Sequence, residues 1–338
     1  MTLQNKTKVL VTGAGGFIGS HLVTFLRDRG YWVRGVDLKY PEFTETDADD
    51  FRLLDLRRWE NCLEATAEID EVYALAADMG GMGFISSHNA QILHNNALIN
   101  LHSIEAAREN GVSRYLYTSS ACIYPEHLQE VTDVAGLREE DAYPAAPQDG
   151  YGWEKLISER LCEYYTEDYG METRIVRFHN IFGEDGTWDG GREKAPAALS
   201  RKIAIAKLTG NREIEIWGDG EQTRSFCYID DCVEGLYRLM RSDHREPINL
   251  GQDRMVSINE LADIIAKAAR IEIVKRYVEG PQGVRGRNSD NTRLRHVLGW
   301  EPSVSLEEGL AKTYKWIEQQ VKNSALLSPA SDALPATV

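Results

Sequence analysis

No stretch of this 338-residue chain is apolar over the ~18 to 20 positions that a membrane-spanning helix needs. The N-terminus also lacks a basic segment, an apolar stretch and a small-residue cleavage site, so a cytoplasmic address is expected. Cysteine is sparse and odd in number. Cys62, Cys122, Cys162, Cys227 and Cys232 are scattered, which suits no secreted disulfide framework. Cys227 and Cys232 have neither a second pair nor a nearby His to complete a zinc site, so no metal is expected. Basic residues are in deficit, with 38 Lys and Arg against 53 Asp and Glu and a net charge of −15. That charge repels polyphosphate backbones and anionic surfaces, so neither nucleic acid nor membrane is an expected partner. A small anionic ligand would need only a local basic pocket.

What is present is ordinary globular material, 42% hydrophobic and 27% charged, which excludes collagen-like, coiled-coil and disordered classes. The first half alternates short β-like runs with helical patterns, the mark of an α/β fold with a Rossmann-type, doubly wound parallel sheet. Residues 8–12 (KVLVT) read as a buried strand, and Ile18, Leu22, Phe25 and Leu26 share one face of a following helix. Further strands are expected at 31–37, 51–55, 71–77, 114–119 and 172–178, with long helices near 90–109 and 151–169. Beyond 178 the alternation becomes irregular. There 213–217 reads as a half-exposed strand, 229–240 as a helix, and Ser257 with Glu260 as a capping box opening a helix to about 270. A dinucleotide-binding domain is expected over 1–178 and 226–251, and a smaller substrate-binding lobe over 179–225 and 252–322. Residues 323–338 are Ser-, Ala- and Pro-rich and are expected to be a disordered tail.

Between the first strand and helix lies TGAGGFIG, residues 12–19. Gly13 suits a tight turn, Gly16 lets a pyrophosphate approach the backbone, and Gly19 permits close helix packing. The helix start at Phe17 and Ile18 favours phosphate oxygens. A glycine triplet alone is a weak signal, but its place after the first strand makes it a strong one. Asp37 ends the second strand where a carboxylate can accept the adenosine ribose hydroxyls and repel a 2′-phosphate, which favours NAD over NADP. Lys39 is the dissenting residue, because a base there could hold that phosphate. Asp55 after the third strand reads equally as an adenine contact and as a surface carboxylate.

Tyr151 and Lys155 stand four residues apart on one helical face. A free phenol, with a pKa near ~10, is a poor base at neutral pH unless a cation stabilises its anion, which Lys155 could do. YxxxK alone also describes a core Tyr beside a snorkelling Lys. Ser119 and Ser120 at a strand end complete the catalytic pattern.

The glycine turn, TSSACIYP at 118–125 and YGWEK at 151–155 together resemble the extended short-chain dehydrogenase/reductase family of nucleotide-sugar enzymes. More narrowly, residues 76–84, 119–125, 177–180 (RFHN), 190–196 (GGREKAP), 217–226 and 284–290 are similar to the GDP-mannose 3,5-epimerase family. That resemblance implies bound NAD, GDP-mannose as substrate, GDP-L-galactose as product with GDP-L-gulose as a second possibility, and a homodimer built on the two long helices. It implies Ser120, Tyr151 and Lys155 for redox chemistry and Cys122 with Lys194 for proton transfer. It also implies substrate contacts at Gly80, Asn180, Glu193, Lys202, Gln222, Arg224, Arg285 and Arg287, besides Ser120, Cys122 and Lys194.

The residue types suit that chemistry. Oxidising C4 of the hexose makes C3–H and C5–H acidic, and inverting either carbon requires a base on one face and an acid on the other. Cys122, two residues after Ser120 on an extended strand, is expected to point the same way. By itself Cys122 would read as a core cysteine, Lys194 as a solvated lysine, the arginines as a solvated face and His179 as a packed histidine. The enzymatic rivals are a nucleotide-sugar 4-epimerase or a 4,6-dehydratase. Simple 4-epimerisation needs no carbon acid, and a dehydratase usually has acidic residues where this chain has Ala121 and Cys122. A non-catalytic dinucleotide sensor is the rival from another class.

Overall fold

A computed structural model describes residues 6–281 and 283–324. The first half contains β1 (Lys8–Thr12), α1 (Phe17–Asp28), β2 (Trp32–Asp37), β3 (Asp50–Leu53), α2 (Trp59–Thr66) and β4 (Glu71–Ala74). It continues through α3 (Met82–Ser87), α4 (Asn89–Glu109), β5 (Arg114–Ser120), α5 (Gly150–Tyr169) and β6 (Glu172–Phe178). Then come β7 (Ile181–Phe182), α6 (Ala195–Thr209), β8 (Glu213–Trp217), β9 (Thr223–Ser225), β10 (Cys227–Tyr228) and α7 (Ile229–Arg241). The chain finishes with β11 (Ile248–Leu250), β12 (Met255–Ser257), α8 (Ile258–Ala269), β13 (Val274–Val278), β14 (Gly286–Arg287), α9 (Thr292–Leu298) and α10 (Leu306–Asn323).

Seven strands form one parallel sheet in the order β11-β6-β5-β4-β1-β2-β3. The expected doubly wound sheet is therefore present. Strand β1 shows why an unbroken apolar run lies at its centre. Val9 and Val11 join the core shared with α1 and α7, while Leu10 joins the core under α2, α4 and α5. Both faces are covered, so Val9, Leu10 and Val11 are all apolar. The chain changes direction across the sheet between β1 and β4, and ligands in open α/β sheets bind beyond the strand ends at such a point.

The loops at that edge are built locally. Gly13 adopts φ +72°, which lets the turn after β1 reverse without a Cβ penalty. A Cβ on Gly19 would lie 2.0 Å from the Gly13 carbonyl oxygen, so α1 packs directly on the turn. Strand β4 stops at Ala74, short of the expected 77, because the next two amides turn away: Leu75 and Ala76 N–H both donate to Thr12 Oγ1 at 3.1 Å.

After β6 the small sheets pair β7 with β10, β8 with β13, and β9 with β12 and β14. The capping box at Ser257 and Glu260 is present in both directions. Helix α10 packs on α6 and α8 and runs through Asn323, where the tail was expected to begin. Ser305 caps its start, and Leu310, Tyr314, Ile317 and Val321 bury one face of it. The rest of the expected tail, 325–338, lies outside the described residues. No helix among the described residues is long and apolar enough to cross a membrane.

Candidate active site

A cleft of about 920 Å³ runs from the glycine turn across the ends of β1, β4 and β5 to α6, β8 and β14. Its dinucleotide end is lined by Gly13, Gly16, Phe17, Ile18, Gly19, Asp37 and Asp55, the whole set expected there. Helix α1 begins with no side-chain cap, so its first amides remain available to an anion. Asp37 accepts from Gly15 N–H at 2.9 Å and Leu38 N–H at 2.6 Å, which fixes its carboxylate at the end of β2. Lys39 reaches instead toward exposed Glu42 at 3.5 Å. The Asp55 carboxylate is gripped by both Nε and Nη2 of Arg57, at 2.9 and 2.7 Å. A bare glycine floor, open helix amides and a fixed carboxylate fit a nicotinamide dinucleotide, which Gly13, Gly16, the start of α1 and Asp37 would hold.

The reacting groups meet midway along the cleft. Strand β5 delivers Ser120, but Cys122 does not continue the strand as expected. Ser120 Oγ accepts from Cys122 N–H at 3.2 Å and caps a single 3-10 turn over Ala121–Ile123. A serine hydroxyl bonding an amide two residues on turns the chain locally, and it brings Cys122 into the cleft by a bend. Helix α5 packs against that bend so closely that a Cβ on Gly152 would lie 2.2 Å from the Cys122 carbonyl oxygen. Glycine at the second position of YGWEK therefore sets Tyr151 beside Cys122.

Tyr151 is buried, which pushes its phenol pKa up; the Cys122 and Glu154 charges add to that rise, and a hydrogen bond with Ser120 opposes it. Lys155 is buried beneath it, and its Nζ donates to the Thr118 carbonyl at 3.0 Å. Burial lowers the ammonium pKa, while Glu154 and Glu159 raise it. Lys194 is the N-cap of α6 and is accessible within the open cleft. Protein atoms surround that part of the cleft, and the lost hydration lowers its pKa, with Cys122 pulling the other way. The segment carrying Lys194 is held by Glu193, which accepts from Arg201 Nη2 and from Gly191 N–H, both at 2.7 Å.

Gly80, Asn180, Glu193, Lys202, Gln222, Arg224 and Arg287 also line the cleft. Arg224 is pushed down to about 9 by burial and then by neighbouring Arg287. Two neighbouring guanidiniums, with Lys202 on the same cleft, give a chain of charge −15 a local site suited to an anion. Lys202 Nζ bonds the Glu215 carbonyl at 2.8 Å. Gln222 Nε2 bonds the Trp217 carbonyl at 3.2 Å, and its buried Oε1 has no partner among the described residues. Arg285 departs from expectation. It lies off the cleft because its guanidinium is drawn into a bidentate pair with Asp219, at 2.8 and 2.7 Å.

Sequence reasoning missed the groups behind the site. Ser119 Oγ and Arg177 both bond Glu159, a fully buried trio joining β5, α5 and β6. Burying a carboxylate on α5 within RFHN reach is the signal that pairs it with Arg177. Gln129 holds Arg287 and carried no local signal. His179 is buried and bonded to Asn249 Oδ1 at 2.9 Å, a packed histidine as expected. No group of three His, Cys, Asp or Glu side chains able to hold a metal exists among the described residues.

A doubly wound sheet with a glycine turn, Ser120, Tyr151 and Lys155 in one cleft defines a Rossmann-type dinucleotide-dependent enzyme. The pattern of the NAD dependent epimerase/dehydratase family matches residues 9–251, and the chain belongs to that family. It is 52% identical over 321 residues to GDP-mannose 3,5-epimerase 1 of Oryza sativa subsp. indica, covering 94% of this chain and 84% of that protein. Among solved structures it resembles UDP-glucose 4-epimerase of Thermotoga maritima, with a TM-score of 0.82 and 25% identity over 93% of this chain and 100% of that one. UDP-glucuronic acid 4-epimerase of Bacillus cereus, solved with UDP-glucuronic acid and NAD, gives a TM-score of 0.75 and 27% identity over 93% and 100%.

Proposed function

We propose that this chain is a GDP-mannose 3,5-epimerase that uses NAD and forms GDP-L-galactose, with GDP-L-gulose as the product of inversion at C5 alone. The observation that carries this reading is the meeting of Cys122 and Lys194 in the cleft that holds Ser120, Tyr151 and Lys155. The name carried by the rice relative supports it. When bound, NAD supplies a hydride acceptor, and later donor, for C4 of the hexose. Tyr151 takes the C4 hydroxyl proton, Ser120 orients that hydroxyl, and Lys155 opposes the burial that keeps the phenol protonated. Beside the resulting 4-ketone, Cys122 removes the proton from C3 or C5, and Lys194 returns one from the other face. An ammonium whose pKa is lowered gives its proton up more readily. Arg287 donates to the Cys122 sulfur, which sets a cation directly beside the base. Tyr151 finally returns its proton as C4 is reduced, so no net redox change results.

A 4-epimerase or 4,6-dehydratase would leave the thiol and ammonium without a task. We assign 1–178 and 226–251 to cofactor binding and 179–225 with 252–322 to the substrate, with Lys202, Gln222 and Arg224 toward the GDP moiety and Gly80, Asn180, Glu193 and Arg287 around the sugar. The reading includes a homodimer through α4 and α5 and a cytoplasmic setting suited to five free cysteines. Incubation with GDP-mannose and NMR of the product tests it: GDP-L-galactose is expected, and unchanged substrate or a 4-keto-6-deoxy sugar would overturn it.

A further inference from the structure

The guanidinium that touches Cys122 is itself held from behind. Arg287 Nη1 donates to Cys122 Sγ at 3.3 Å, and Arg287 Nε donates to Gln129 Oε1 at 2.5 Å. Gln129 is 1% exposed and uses every polar atom it has. Its Nε2 donates to the carbonyls of Tyr124 at 3.1 Å and Pro125 at 3.2 Å. Its backbone carbonyl accepts from Arg285 N–H at 2.9 Å and Gly286 N–H at 3.1 Å. One residue thus ties the segment leaving the Cys122 bend to the strand that carries Arg287, 158 residues away.

The choice of an amide has a chemical consequence. A carboxylate at this position would pair with the guanidinium and consume its charge, whereas a carboxamide oxygen fixes the fork and leaves the charge to act elsewhere. The other groups that act electrostatically with the Cys122 thiol are Lys194, Arg224 and Lys155, all cations, and the Tyr151 phenol. Arg287 donates a hydrogen bond to that sulfur. We propose that Gln129 is a positioning residue whose neutral carboxamide holds the Arg287 guanidinium against the Cys122 sulfur. The proposal rests on the reading of Cys122 as the base, but its test reads the sulfur directly.

Cys62, Cys162, Cys227 and Cys232 are buried, so Cys122 is the accessible thiol. Iodoacetamide alkylation at pH 7, followed by peptide mass spectrometry with Cys122→Ala as the control, reports on it alone. Losing a charge-assisted hydrogen bond to sulfur is expected to slow alkylation at least about fivefold in both Gln129→Ala and Arg287→Ala. The double variant is expected to be no slower than Arg287→Ala, since both changes remove one contact. Alkylation of Gln129→Ala at the parental rate, or an additive loss in the double variant, overturns the proposal. Should circular dichroism show Gln129→Ala unfolded, Gln129→Glu of the same shape is measured instead. It is expected to slow alkylation by neutralising Arg287, and a parental rate again overturns the proposal. A parent protein that alkylates as expected yet incorporates no deuterium into GDP-mannose refutes the epimerase reading and leaves the Gln129 arrangement intact.

Discussion

Lys155 Nζ is anchored to the Thr118 carbonyl at 3.0 Å, and from that anchor it lies 5.6 Å from the centre of the Tyr151 ring. The ammonium is thereby fixed to β5 two residues before Ser120, so one strand end positions three members of the reacting set. A phenol whose pKa burial raises and an ammonium whose pKa burial lowers each disfavour the charged form that catalysis needs. Holding them at a fixed separation lets each charge support the other.

Removing the hydroxyl alone tests that arrangement. Tyr151→Phe leaves the ring packed, so GDP-mannose binding is expected to persist while C4 oxidation falls at least ~10²-fold, the usual contribution of a positioned acid/base. Single-turnover absorbance of the reduced cofactor at 340 nm, paired with substrate titration, separates the two. Near-normal oxidation would show that another residue takes the proton.

A reaction that regenerates its oxidised cofactor gains nothing by releasing it, so the purified protein is expected to carry NAD. Denaturing it and identifying the released nucleotide checks this. Asp37→Ala removes the carboxylate acceptor at the end of β2 and is expected to weaken NAD retention at least about tenfold. Recovery of NADP from the parent would move the assignment from Asp37 to Lys39.

His179 gives a pH dependence whose sign is fixed by its partners. Asn249 Oδ1 accepts from Tyr124 OH at 2.7 Å and from His179 Nε2, so the histidine carries its proton on Nε2. Its Nδ1 is buried with no partner among the described residues. Burial pushes the pKa down to about 3, with the Asn249 bond opposing. The unfolded chain therefore binds the extra proton first, and stability is lost as pH falls from the ordinary ~6.5 toward that lowered value. His179→Gln keeps a donor toward Asn249 but cannot titrate. Between pH 7 and 5 the parent is expected to lose about 2 kcal/mol more than the variant in urea unfolding. Equal losses would show that the histidine does not titrate in that window.

The legible parts of this protein are those decided within a few residues. The run KVLVT, the glycine turn, the box at Ser257 and Glu260, and the Tyr151 and Lys155 spacing all stand where local patterns put them. Helix α10 carried the same kind of signal, with Ser305, Glu308 and an apolar stripe, although no helix was read there within the expected lobe of 252–322. The Cys122 bend escaped because strand alternation competed with a serine cap, and the cap won. Arg285 and Arg287 look equivalent in VRGRNSD. Only the tertiary positions of Asp219 and Gln129 separate a surface ion pair from a cleft cation. The β8 and β13 pairing is parallel and joins residues far apart in the chain, Val274 with Glu213 and Val278 with Trp217, beyond any local pattern.

Helices α4 and α5 lie side by side and leave several large apolar side chains exposed. Leu101 is 48% exposed on α4 and Ile157 59% on α5, and Trp153 and Tyr164 share the Ile157 face. A second copy related by a two-fold axis would bury both helices against themselves. Light scattering is expected to give a dimer for the parent. Leu101→Glu with Ile157→Glu, which places unpaired carboxylates in that contact, is expected to weaken it more than about a hundredfold. A monomeric parent would overturn the dimer, and a variant as dimeric as the parent would place the interface elsewhere.

Solvent isotope exchange separates the epimerase from its rivals. Protons taken by a thiol or given by an ammonium are replaced from solvent, so turnover of GDP-mannose in D₂O is expected to place deuterium at C3 and C5. A pure 4-epimerase returns the same hydride to C4 and incorporates none, and a 4,6-dehydratase accumulates a 4-keto-6-deoxy sugar. Cys122→Ala removes the base but leaves Ser120, Tyr151 and Lys155 in place. It is expected to retain C4 oxidation while exchange falls at least ~10²-fold. Lys194→Ala is expected to keep part of the exchange and lose inversion, because a carbanion without an acid on its opposite face is reprotonated from the face it left. Exchange in Cys122→Ala as fast as in the parent would remove the thiol from the mechanism even where the product is GDP-L-galactose. The remaining candidates on the cleft would then be Tyr151, Lys155 and Lys194, proton carriers that interact with that sulfur.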